Sequence, residues 1–531
     1  MQAAYKLEAT DSFALSYKKF ENLTAKLQRV ETMTMMHSEV EEVLDQDGRE
    51  LLRQLLEEHL GLRAQTERDV REDGPLVGSD GLVRTHRRRD RSRGLMTIFG
   101  DVGVWRAGYE GRGIGRLYPL DAELNLPKDK YSHGVRKRVA LEVVRGSFDE
   151  SGKSLKRSSG AHVPKRQLES LAEKAARDFE EFYAGREQSA TNETKKMGEL
   201  MVLSVDGKGV PMRPEGLREK TRLAAERKQP KLRSRRSKGE KRHARRMATV
   251  AAVYTVKPHE RTAEEIVGEL RDSAELDTTQ AKTERPRPEN KRVWASLVKS
   301  PSEVIDDMFA EALRRDPKKT KQWVALADGN AHQLDILNQQ AKKHGIELTI
   351  VLDIIHVLGY LWKAVWALHE EGSPDGEKWV RERLLRILQG HSSDVAAGMR
   401  RSATRRELTQ TQREPIDTCA NYLLNHREYL HYDQYLAAGL PIATGVIEGA
   451  CRYLVKDRME ITGARWGLQG AEAILRLRAL YASGDFDDYW RFHLKQEQIL
   501  NHVMNYNERP PSTRIQPSRT PPKRPNLRLV E

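Results

Sequence analysis

The stretch MVLSVDGKGV, residues 201–210, is an apolar run that stops on an acid: Met201 to Val205 reads as a strand, and Asp206-Gly207 ends it. The figure returns in WVALADGNAHQ, residues 323–333, where the run stops at Asp328-Gly329-Asn330. A third acid, Glu448, stands near the start of ATGVIEGACRYLVKDRME, residues 443–460. There Ile447, Ala450, Cys451, Leu454 and Val455 recur at helical spacing, and Glu448, Arg452 and Lys456 fall on the neighbouring polar stripe. Singly, each acid has an ordinary explanation. An aspartate after a strand closes an Asx turn or caps the next helix, and Glu448 has an i,i+4 cation in Arg452. Together, two acidic strand ends and an acidic helix start supply the oxygen ligands that hard divalent cations require.

The rest of the 531-residue chain bounds what such a site would act on. At about 150 residues per domain, three or four units are expected. Only 6% of residues are aromatic and 32% are charged, a helix-favouring balance. The net charge is +14 and the pI about 9.5, which favours polyanionic partners. Between Arg213 and Arg246 stand 15 Lys and Arg against four Glu, an excess of +11. Such a run, with Arg233, Arg235 and Arg236 at its centre, binds phosphate backbones without reading sequence; the plainer reading is a solvated loop. Two cysteines, Cys419 and Cys451, leave no room for a disulfide framework or a cysteine zinc ribbon. The start, MQAAYKLEATDSF, lacks the pattern of a signal peptide, and no apolar run approaches the ~18 residues of a membrane helix. A soluble, cytoplasmic protein is expected.

Taken in order, residues 1–75 read as an N-terminal helical region and 80–195 as a DNA-binding region. The latter opens with a basic knot, RTHRRRDRSRG, followed by LMTIFGDVGVWRAGYE, which alternates like a β-hairpin. The glycines at 111, 113 and 115 do not form a phosphate-binding fingerprint, and no GxxxxGK[ST] occurs, so use of a nucleoside triphosphate is not expected. Residues 132–182 carry two short helical stretches, a Ser/Gly turn and a longer helix opened by Pro164, the outline of a helix-turn-helix with Lys165 and Arg166 beside the turn. From 199 to 490 the order strand–strand–helix–strand–helix–strand indicates a mixed α/β domain. A helical insertion is placed at about 370–440, with Trp362, Trp366 and Trp379 at or near its start. The tail, 507–531, is proline-rich and basic, a composition that argues for disorder.

The segments around Asp206, Asp328 and Glu448 resemble the acidic triad of DDE transposases with a ribonuclease-H-like fold. Asp353-Ile354-Ile355-His356, lying between the second and third acids, resembles the (Cys or Asp)-x-x-His signature of Mutator-type transposases. TIFGDVGVWRAGY, YPLDAELNLP, LSVDGKGV and GVIEGACRYLVKDRMEITGARW together resemble bacterial insertion-sequence transposases of the ISKra type, in motif order over roughly residues 80 to 490.

The resemblance implies a ribonuclease-H-like α/β core with an all-helical insertion, preceded by a helix-rich DNA-binding region. It also implies a metal-dependent transposase acting on double-stranded DNA. Asp206, Asp328 and Glu448 would hold two Mg2+ ions, with Mn2+ able to substitute. Asp353 competes with Asp328 as the second aspartate. His356 would position a phosphate or a flipped base, or else be an ordinary buried histidine. Arg452, Lys456, Arg458 and Arg465 would clamp the DNA backbone, unless they are simply an exposed cationic face. A homodimer or larger assembly on DNA and a nucleoid-associated, bacterial location follow by the same analogy. A silenced transposase acting as a DNA-binding regulator and a structure-specific nuclease are the alternatives.

Overall fold

The computed structural model describes residues 12–70, 74–189, 198–227, 244–269 and 285–506. Arg233, Arg235, Arg236 and the tail 507–531 lie outside them. The chain divides into two compact units, residues 1–175 with 490–531, and residues 176–489. No described helix is long and apolar enough to cross a membrane.

In the first unit the helices Ala14–Leu27 and His37–Val70 pack together. Lys19–Glu50 (2.8 Å) and Lys26–Asp47 (2.7 Å) join them. A short pair, β1 (Leu76–Val77) and β2 (Val83–Arg84), precedes an antiparallel sheet of β3 (His86–Thr97), β4 (Gly100–Gly111) and β5 (Ile114–Leu117). The basic knot therefore lies mostly within β3. Only the Leu95–Thr97 end of that strand is buried, and Leu95, Val102 and Val104 pack there on Leu60 of the long helix. The helices His133–Val143, Phe148–Ser158 and Lys165–Ala175 follow and pack on one another. Ser132 and Ser147 cap the first two through hydrogen bonds to Val135 N and Glu150 N, satisfying N–H groups that the first turn leaves open.

The second unit is built on a five-stranded mixed sheet: β6 (Leu200–Pro211), β7 (Arg245–Val256), β8 (Glu289–Ser296), β9 (Gln322–Ala327) and β10 (Leu348–Leu352). The spatial order is β10-β9-β6-β7-β8. β6, β7 and β8 form an antiparallel meander. β9 and β10 add to the other side of β6, all three parallel. Helices Pro301–Arg315 and Leu468–Ser483 pack on the sheet, so Met201–Val205 and Trp323–Ala327 are buried throughout, as expected for strands covered on both faces.

β8 is absent from the sequence expectation. It is an edge strand whose first four residues are partly exposed and polar, and only its last four are buried, so half its length carries no strand periodicity. The stretch 370–440 is helical, as Pro374–Leu388, Ser392–Arg405, Gln410–Asn425 and Tyr432–Ala437. Its third helix packs on Ile354–Val365, with Tyr360 and Tyr422 stacked at 4.2 Å. Trp362 and Trp366 stack on each other at 5.3 Å, and Trp379 is buried.

Candidate active site

Strand register brings the aspartates together. β6 and β9 are paired up to Ser204 opposite Leu326, so Asp206 and Asp328 each stand two residues past the same rung. On the far side of β9, Leu352 lies opposite Ala327, and the Asp353 N–H donates to the Ala327 carbonyl at 2.9 Å. Asp328 and Asp353 thus follow the carboxyl ends of β9 and β10, and Asp206 stands beside them where β6, which runs on to Pro211 paired with β7, has left its parallel neighbour, so the strand end expected at Asp206-Gly207 is not found. β6 has β7 on one side and β9 on the other, so the site lies where strand order reverses, the place at which open α/β sheets form their ligand crevice.

The two candidates for the second aspartate differ in what they have left to offer. Asp353 is fully buried (0% exposed) and caps the helix Ile354–Val365. Its Oδ1 accepts from Ile355 N (3.1 Å) and Thr444 N (3.2 Å), and its Oδ2 accepts from Thr444 Oγ1 (2.6 Å). His356 Nδ1 lies 2.9 Å from the same Oδ2. Burial pushes this carboxyl up, but the hydrogen bonds from His356 and Thr444 prevail and hold it below the ordinary range. Asp328 is half-exposed; its Oδ1 accepts from Asn330 N at 2.9 Å, and Oδ2 carries no hydrogen bond among the described residues. The turn behind it requires glycine. Gly329 has φ +89°, and a Cβ there would come within 2.9 Å of the Tyr422 hydroxyl. That hydroxyl donates to the Asp328 carbonyl (3.0 Å), fixing the turn against the helical insertion.

Glu448 lies in the short helix Gly445–Ala450, which packs across β6 and β7 and follows directly on Thr444. Its side chain is exposed. Its carboxyl is nevertheless pushed above the ordinary range, first by partial burial, then by the charges of Asp353 and Asp206, with His356 opposing. His356 in turn is raised by its hydrogen bond to Asp353 and by the charges of Asp353, Asp328 and Asp206. The five side chains share one electrostatic neighbourhood. Among the described residues no group of three or more His, Cys, Asp or Glu is placed so that it could hold a metal ion. By residue type Asp206, Asp328 and Glu448 offer carboxylate oxygens, the ligands a hard cation takes.

Two polar contacts at the site had no local sign in the sequence. Thr444 is buried and donates twice to Asp353 from 91 residues away. The Cys451 thiol donates to Asp206 Oδ2 at 3.2 Å, and burial, then the Asp206 charge, push that thiol far up. Cys451 opens a π-helical segment, Cys451–Lys456, a local widening frequent at functional sites. The stripe Glu448-Arg452-Lys456 assumes α-helical spacing, and the π turn breaks it.

The cations are dispersed. Arg452 is 79% exposed, 3.9 Å from Asp457; Lys456 and Arg465 are exposed. Arg458 departs from the expected clamp. It is 2% exposed, with its guanidinium 4.8 Å over the Trp466 ring, and burial, then the Arg478 charge, lower it to about 10. It packs in the interior, where it cannot face a DNA backbone. Lys165 and Arg166 open a helix of the first unit and are exposed, with Lys165 Nζ held 2.5 Å from Asp149.

The Asp353–His356 pair makes stability depend on pH in a defined sense. Folding raises the histidine and lowers the aspartate. The pair therefore contributes fully between about pH 4 and 6.5, the ordinary values of the two groups. The contribution fades at higher pH, as His356 deprotonates through its raised value, and at lower pH, as Asp353 protonates. Urea midpoints of the unaltered chain and His356→Gln are expected to differ more at pH 5.5 than at pH 9. Equal differences would show that the ion pair adds nothing.

No family model matches the sequence, and no curated protein matches it. Among solved structures the chain is similar to the Drosophila P element transposase strand transfer complex, at 8% identity and a TM-score of 0.22, over 70% of this chain and 81% of that one. At that score the likeness assigns no residue. What fold and site define by themselves is a mixed α/β unit in which Asp206, Asp328, Asp353 and Glu448 lie near one another beside its parallel strands.

Proposed function

We propose that the chain is a DNA transposase whose second unit is a ribonuclease-H-like core, with Asp206, Asp328 and Glu448 as its acidic triad. The observation that carries this reading is the matched position of Asp206 and Asp328 on adjacent parallel strands, with Glu448 on a helix packed against the same sheet. The antiparallel meander with two parallel strands added beside its first strand, and the helical insertion between Asp328 and Glu448, support it further. Asp353 is read as a positioning residue, leaving Asp328 as the second ligand.

In this reading Asp206, Asp328 and Glu448 would hold two divalent ions, Mg2+ or Mn2+, which supply the charge that activates an attacking oxygen and steadies a leaving one. Water attacks the phosphorus at the element end, the P–O bond to the 3′ oxygen breaks, and a free 3′-hydroxyl is left. That hydroxyl then attacks a target phosphodiester, exchanging one P–O bond for another. Asp353 fixes the His356 ring, which presents a positive edge to the anionic strand. Exposed Arg452, Lys456 and Arg465 on this unit, and Lys165 and Arg166 on the other, would contact duplex DNA, and the assembly on DNA would be a homodimer or larger.

The test uses the full chain, duplexes taken from the flanks of its own gene and a plasmid target, with Mg2+, Mn2+ or EDTA. Joined products that require the metal are expected. Binding without cleavage under every metal would instead indicate a silent regulator, and cleavage without joining a nuclease.

A further inference from the structure

An edge strand presents unpaired backbone groups and is commonly guarded by charge. β3 is the edge of the first unit's three-stranded sheet, yet its charges are placed with more order than protection requires. Residues on a ribbon alternate faces, so Arg88 and Arg91, three apart, would point to opposite sides. Between them the register slips: Arg88 lies opposite Gly108, and Arg91 opposite Arg106. This β-bulge brings both arginines to the face of β4 that carries Glu110. Gly108 makes room there, since a Cβ would lie 3.5 Å from the Arg91 stem and 2.9 Å from the Tyr118 ring.

Arg116 of β5 joins the same face. Three guanidiniums converge on one carboxylate: Arg91 at 2.9 Å, Arg116 at 3.0 Å and Arg88 at 3.8 Å from Glu110. The three arginine side chains are 42%, 55% and 63% exposed. One anion serves three cations, so two positive charges remain unbalanced, and Arg112 in the adjoining turn is exposed as well.

We propose that this bulge-ordered face, Arg88, Arg91 and Arg116 around Glu110, is a docking surface for the phosphate backbone of duplex DNA. Guanidiniums pair with phosphate oxygens in a planar fork, and Glu110 holds the three forks in place until phosphates replace it. The choice of DNA among polyanions rests on the proposed activity; the surface itself does not.

The test is fluorescence anisotropy of the full chain with a labelled 30-base-pair duplex of arbitrary sequence, in EDTA, over a salt series. Each phosphate contact contributes about 0.9 to the slope of log affinity against log salt. Arg88→Ser/Arg91→Ser/Arg116→Ser is expected to reduce the slope by about 2.7 and weaken binding, whereas Arg→Lys at the same three positions keeps most of the slope. Glu110→Gln, which frees the arginines, is expected to tighten binding. An unchanged slope in a folded serine variant would overturn the proposal, and so would unchanged or weaker binding by Glu110→Gln. If the serine variant aggregates, the lysine and Gln variants decide. Tighter binding to anionic vesicles or duplex RNA than to DNA, lost in the serine variant, also overturns it. Because metal is absent, the interface can stand while catalysis fails, and catalysis can stand while the interface fails.

Discussion

Asp206→Asn is expected to lower metal-dependent strand transfer by about 10³-fold while leaving the fold intact. Asparagine keeps the shape of the side chain and an oxygen that can accept from the Gly207 N–H (2.5 Å) or the Cys451 thiol (3.2 Å). What it removes is the negative charge that would hold a cation beside the central strand. Losing stabilisation of several kcal/mol at developing charge amounts to roughly three powers of ten in rate. The Glu448 carboxyl, raised in part by the Asp206 charge, should move back toward its ordinary range, so thermal stability is expected to hold or rise slightly. Initial rates of joining, with circular dichroism to confirm folding, check this. A folded variant that keeps more than a tenth of the rate would remove Asp206 from the site.

Asp353→Asn is expected to act on stability before it acts on chemistry. The carboxylate is fully buried and ties the helix Ile354–Val365 to Thr444 and to His356. Hydrogen bonds to a charged acceptor contribute about 1.5–3 kcal/mol each, and breaking a buried ionic contact costs about 3–5 kcal/mol. An amide keeps some of these bonds and turns an N–H2 toward Thr444 or His356, so a loss of about 3 kcal/mol is expected. At 2–4 °C per kcal/mol that is a fall of roughly 6–12 °C in Tm. Asp328→Asn, at a half-exposed carboxylate with one oxygen unengaged among the described residues, is expected to show the converse: near-normal stability and lost strand transfer. A stable but inactive Asp353→Asn beside an active Asp328→Asn would exchange the two roles.

Much of the architecture was legible because it depends on local signals. Apolar runs before Asp-Gly marked β6 and β9, although β6 continues through Asp206-Gly207 to Pro211, where its residues turn partly polar and only pairing with β7 reveals the strand. Helical spacing marked the stretch 370–440, and Ser, Asn and Gly stood at the helix ends where caps are needed, as at Asn330 and Gly345. The basic stretch at 84–94 was legible as charge but not as a strand, since arginine has little strand propensity and the exposed part of β3 has no core to reveal its alternation. β8 escaped for the same reason. The π-helical turn at Cys451 could not be read from a spacing that assumes 3.6 residues per turn.

The sequence by itself determined which acids were available and that each stood beside an apolar run. By residue pattern Asp328 and Asp353 are alike, since both end apolar runs before a helix, and only the resemblance favoured Asp328; a carboxylate's partners are a property of space. Strand pairing set Asp206 beside Asp328, and Thr444, 91 residues away, filled the remaining acceptor positions of Asp353. Burial likewise separated Arg458, packed over Trp466, from the exposed Arg452 and Arg465. Charge and propensity are local and written in the chain; desolvation and hydrogen-bond saturation arise only when distant segments meet, and here they determine which carboxylates have oxygens left to offer.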